Sequence, residues 1–132
     1  MPKIVRKAPR FEKLLSSNRD LEKRTVSLRF GDHDEHNYEI ELDLQAVPVS
    51  IFALANEYGR ILSSLPAEER PAVQPIQGTG IVPALGPDGT PALILRLEGG
   101  GELTIKFSKD AIAEVSEKLT ELLAATQTDR YH

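Results

Sequence analysis

Cysteine is missing from all 132 residues. That excludes disulfides, thiolate nucleophiles and cysteine-ligated zinc or iron–sulfur centres, and it agrees with a reducing cytoplasm. Long apolar runs are missing as well. The longest mostly apolar stretch, Val47 to Ala55, falls far short of the ~20 residues of a membrane span. Met1-Pro2-Lys3-Ile4-Val5-Arg6 gives way to further charge rather than to the apolar core of a signal peptide. A cytoplasmic protein with no membrane partner is therefore expected.

Catalytic signatures are scarce. Three histidines occur, and one of them, His132, ends the chain. No serine stands in a nucleophile-elbow context. Gly78-Thr79-Gly80 lacks the Lys-Ser/Thr and the following helix of a phosphate loop, and Gly99-Gly100-Gly101 reads as a hairpin turn. The sequence predicts a protein that is not an enzyme and takes no cofactor.

What is present is first a polarised charge. Residues 1–24 carry eight basic side chains against three acidic ones, a net +5, while the remaining 108 residues carry eight basic and 17 acidic ones, a net −9. Such polarity concerns partners, not fold. Lys3, Arg6, Lys7 and Arg10 could hold phosphates in a salt-dependent way. Phe11 is the only aromatic near them, which argues against base stacking. A solvated terminus, or an arm laid on an acidic face of its own chain or a sister subunit, are the competing readings.

The pattern of apolar residues predicts an α+β fold. Residues 1–24 read as a basic arm, with a short helix suggested by the spacing of Phe11, Leu14, Leu15 and Leu21. Residues 25–125 read as one domain and residues 126–132 as a tail. Within the domain a β-hairpin running into an amphipathic helix occurs twice. Val26, Leu28 and Phe30 alternate with Thr25, Ser27 and Arg29; Tyr38, Ile40, Leu42 and Leu44 alternate with Glu39, Glu41 and Asp43. Ile51, Leu54, Ala55, Tyr58, Ile61, Leu62 and Leu65 then recur at helical spacing, with Pro48 suited to the first turn and Pro66 as the stop. In the second copy Leu93, Leu95 and Leu97 precede the glycine turn, and Leu103, Ile105 and Phe107 follow it. Ser108 is a natural N-cap for a helix bearing Ile112, Val115, Leu119 and Leu122, with Glu114 and Lys118 paired on its wet face. Between the copies, Gly86-Pro87-Asp88-Gly89 marks a turn, and Pro83 confines the preceding strand to an edge or bulge. The expected architecture is one antiparallel sheet of four to five strands, with both helices packed on one face.

Two clusters are candidate sites. Asp32-His33-Asp34-Glu35-His36 gathers carboxylates and imidazoles that could ligate a divalent metal. The bland reading is a solvated hairpin tip. A calcium loop does not fit, because Asn37 stands where the tight-turn glycine belongs and Asp43 where the last glutamate belongs. Glu39, Glu41 and Asp43 line one face of a strand, where alternate residues lie roughly 6.6–6.8 Å apart, close to the phosphate spacing of a nucleic-acid strand. That face could imitate nucleic acid toward a basic partner, or simply keep an exposed strand soluble. A small interaction module that binds a protein and self-associates as a homodimer is the leading expectation, with Glu39, Glu41, Asp43, Lys3, Arg6, Lys7 and Arg10 as partner-binding candidates. The segment from Pro66 to Gly80 is too long for a mere connector and would serve as a contact loop.

Overall fold

A computed structural model describes residues 3–129. They form the elements β1 (Phe11–Asp20), β2 (Thr25–Asp32), β3 (Asn37–Asp43), α1 (Ala46–Ser64), β4 (Gly78–Leu85), β5 (Pro91–Leu97), β6 (Glu102–Lys106) and α2 (Lys109–Asp129). The α+β composition and the antiparallel pairing agree with the sequence. The single sheet does not. Two three-stranded sheets are present, in the orders β1-β2-β3 and β4-β5-β6, and the chain divides into two compact units between Pro71 and Ala72. Each unit is a three-stranded meander followed by a helix.

In the first unit the expected short helix or arm over residues 11–20 is instead an edge strand. Its ladder with β2 slips twice, between Phe11 and Lys13 and between Leu14 and Ser16, so Glu12 and Leu15 have no opposite number. Each bulge adds one residue to a period of two, which turns strand alternation into spacings that look helical. The rest of the sheet follows the alternation. Val26 faces Leu42, Leu28 faces Ile40 and Phe30 faces Tyr38. Phe11 stacks on Phe30 with ring centroids 5.1 Å apart and lies 5.5 Å from Tyr38. These residues make one apolar face; Glu39, Glu41 and Asp43 stand exposed on the other. Asp20 closes the β1–β2 turn by accepting from the backbone N–H groups of Glu22 and Lys23, at 3.1 and 2.9 Å.

In the second unit Pro83 lies on the edge strand β4, opposite Leu93, as its missing N–H requires. The turn before β5 closes through Gly86 N–H to the Thr90 carbonyl at 2.9 Å, with Gly89 at φ +77°. The glycine turn before β6 has Gly100 at φ +90°. Both are conformations that side chains with a Cβ disfavour. Ser108 caps α2: its Oγ accepts from the Ala111 N–H at 3.1 Å. Lys118 pairs with Glu121 at 3.7 Å rather than with Glu114. The helix runs on to Asp129, through the start of the expected tail; residues 130–132 of that tail lie outside the described residues.

The helices overturn the strongest packing expectation. Neither lies along its own sheet. Helix α1 meets β3 near its start, where Ala46, Val47 and Ser50 are half-buried. Beyond that point its apolar stripe is open, with Leu54 71% and Ile61 57% exposed. In α2 the stripe opens along its length, from half-buried Ile112 and Val115 to Leu122 at 61%. Among the described residues the one buried apolar side chain is Ala92, at 8%. Amphipathic spacing shows that a stripe needs cover; it does not show what supplies the cover. Among the described residues no helix is long and apolar enough to cross a membrane.

Candidate functional site

The hairpin tip between β2 and β3 is built around Asp32. Its side chain is only 9% exposed, and its Oδ1 accepts from the backbone N–H groups of Asp34 and His36, at 2.9 and 2.8 Å. The Asp32 N–H in turn donates to the His36 carbonyl at 3.0 Å. Glu35, at φ +63°, makes the reversal. Partial burial works against ionisation of Asp32. The N–H groups of His36 and Asp34 and the nearby His36 ring outweigh it, so its pKa lies below the ordinary carboxylate value.

Of the metal candidates, Asp32, Asp34 and His36 come together, with potential ligand atoms all within 4.8 Å of one another. His33 does not join them. Its Nδ1 lies 3.4 Å from Glu12 Oε1, and both side chains are largely exposed. Asp32 Oδ1 accepts from the two amides that close the turn, while its Oδ2 lies 3.6 Å from His36 Nδ1. Glu12 gave no signal in the sequence, because the bulge that brings it to His33 was hidden by the helical reading of β1.

Glu39, Glu41 and Asp43 do share the solvent face of β3, and the face is not purely acidic. Arg29 on β2 lies opposite Glu39, with Nη2 to Oε1 at 3.8 Å. An exposed pair of this kind contributes about 0–1 kcal/mol. Lys3, Arg6, Lys7 and Arg10 lie in an exposed segment without regular structure, and none has an ion pair among the described residues. The Pro66–Gly80 segment holds a single 3-10 turn at Ala67–Glu69 before β4 begins at Gly78. Arg70 Nε donates to the Leu65 carbonyl at 3.1 Å and so ties this turn to the end of α1.

Two features were missed by reading the sequence. Asp88, in the β4–β5 turn, accepts from the Thr90 N–H at 3.1 Å and pairs with Lys106 at 3.7 Å. The Thr90 hydrogen bonds, with help from Lys106, hold its carboxyl below the usual range. The second is a groove of about 360 Å³ along α2, lined by Phe107, Ala111, Val115, Leu119 and Leu122 and rimmed by Glu114 and Lys118. Among the described residues its lining holds no histidine.

Each helix therefore carries an exposed apolar stripe of its own. No protein-family model, no curated protein and no solved structure matches this chain.

Proposed function

We propose that this protein is a non-enzymatic interaction module whose contact surfaces are the apolar stripes of α1 and α2. One observation carries the reading: Ile51, Leu54, Tyr58 and Ile61 on α1, with Leu119, Leu122 and Leu123 on α2, are all exposed. Burying a residue of this kind is worth about 1.5–3 kcal/mol. Leaving seven of them roughly half open forgoes on the order of 10 kcal/mol, as much as the whole stability of a typical domain. An exposed apolar stripe of the kind each helix carries marks an interface. The pairing of Asp32 and Asp88 with backbone amides supports the same reading, since it gives the two most perturbed carboxylates a structural task.

The test is affinity purification of tagged chain from cells that also express the untagged chain. A polypeptide, whether another protein or the untagged copy, is expected to co-purify with wild type. It is expected to be lost from the Ile61→Asp/Leu122→Asp variant. Recovery of the bare tagged chain alone would refute the reading, and so would equal recovery from both proteins.

A second reading, nucleic-acid contact through Lys3, Arg6, Lys7 and Arg10, is favoured by four exposed cations without ion pairs among the described residues. Four phosphate contacts give a log–log salt slope of about −3.6 on duplex DNA. Binding with no salt dependence, or none at low salt, rejects this alternative.

A further inference from the structure

The sheet of the first unit has two borders, and they differ. The β1 border is interrupted at Glu12 and Leu15, whereas β3 keeps an unbroken register with β2 from Asn37 to Asp43. The strand order leaves the far side of β3 without a neighbour in its sheet. Alternate N–H and C=O groups along these seven residues are therefore open to another strand. We infer that this border takes up an extended polypeptide segment in which basic and apolar residues alternate. The inference goes beyond the helical stripes and does not depend on them.

The alternation of β3 fixes the pattern of its guest. Glu39, Glu41 and Asp43 are exposed on one face, and Tyr38, Ile40 and Leu42 are half-buried on the other. A guest strand sets its own alternate side chains beside each of these rows. Glu39 lies 3.8 Å from Arg29, but Glu41 and Asp43 have no ion pair among the described residues. Lys or Arg at positions i and i+2 of the guest meets those two carboxylates, and an apolar residue between them extends the face of Ile40 and Leu42. The same acids disfavour a second copy. Two β3 strands laid antiparallel, border to border with faces matched, bring carboxylate against carboxylate, a destabilising pairing. The chain's own cationic segment fits poorly too, because Lys3-Ile4-Val5-Arg6-Lys7 does not alternate. Main-chain pairing supplies the affinity, and the two faces select the guest.

The test titrates the full chain into a fluorescently labelled synthetic peptide, Lys-Val-Lys-Val-Lys-Val-Lys, and reads anisotropy at about 150 mM salt. This peptide is expected to bind at least about tenfold more tightly than Lys-Lys-Val-Val-Val-Lys-Lys, which has the same composition and charge without the alternation. The alternating peptide methylated on every amide nitrogen keeps its charge but cannot donate to β3, and is expected not to bind. Glu41→Lys/Asp43→Lys, with unchanged far-UV circular dichroism, is expected to prefer Glu-Val-Glu-Val-Glu-Val-Glu over the basic peptide. Ile61→Asp/Leu122→Asp is expected to bind the basic peptide as wild type does, so this result and the co-purification read separate surfaces. No binding of the alternating peptide up to about 1 mM chain overturns the inference. Equal affinity for the alternating and block peptides, binding of the methylated peptide, or an unaltered preference in the charge-reversed variant overturns it as well. So does loss of peptide binding in Ile61→Asp/Leu122→Asp.

Discussion

Gly59 sits in the middle of α1, and a Cβ built there meets nothing within 4 Å. Its backbone is helical, so the residue offers no turn geometry that only glycine could supply. Glycine within a helix costs about 0.8–1 kcal/mol against alanine, through the backbone freedom it loses on folding. Gly59→Ala is therefore expected to stabilise the chain by that amount. With an unfolding entropy of about 2.1 cal/mol/K per residue, this converts to a rise in Tm of about 3–4 °C for a chain of this length. The assay is a thermal or urea melt followed at 222 nm, with wild type and variant at one matched concentration. A lower Tm would refute the reasoning, because it would mean that a neighbour absent from the chain's own packing approaches the helix backbone at Gly59. An unchanged Tm would show that α1 melts separately from the element whose loss the signal reports.

Three further outcomes are expected. Ser108→Ala removes the oxygen that accepts from the Ala111 N–H and should destabilise by about 1 kcal/mol; no loss in a urea melt would show that the cap contributes nothing. Asp32 and Asp88 both titrate below their unfolded value, so their contribution is present above about pH 4 and is lost as the pH falls through the lower folded values. Urea midpoints should fall between about pH 5 and pH 3, and Asp32→Asn/Asp88→Asn should flatten that fall; an equally steep fall in the double variant would count against the assignment. Zinc or calcium at about 1 mM should leave Tm unmoved, since Asp32 Oδ1 is engaged by two amides. A rise that Asp34→Ala/His36→Ala abolishes would contradict this.

The legible parts of the fold were those governed by local rules. Strict alternation at Val26–Phe30 and Tyr38–Leu42 pointed to paired strands with one wet face, and the ladder pairs those residues directly. Pro83 at an edge, Ser108 as a cap, and Gly89 and Gly100 at positive φ each follow from what one residue type can or cannot do. Three things were not legible. Bulges at Glu12 and Leu15 shifted the period of β1, so a strand carried helix-like spacing. The division into two sheets depends on which edges pair, a long-range choice that alternation does not encode. The helical stripes announced burial through their spacing, but amphipathicity is equally satisfied by another chain. In the candidate site, the cluster around Asp32 was visible as composition. Its purpose was not, because carboxylates that close a turn and carboxylates that bind an ion share one alphabet. The structure adds the two amides that donate to Asp32 Oδ1, which composition could not show.

The two slips in β1 have a bearing on how this protein survives at high concentration. A ten-residue border strand with unbroken pleat would offer a continuous template for strangers to add onto, the first step toward fibrils. By crumpling the outermost ladder at Glu12 and Leu15, the chain shortens the regular run open to an incoming strand to the five residues from Ser16 to Asp20. Straightening that edge, by deleting Glu12 and Leu15 together, would leave the fold's pairings countable as before and its solubility in jeopardy.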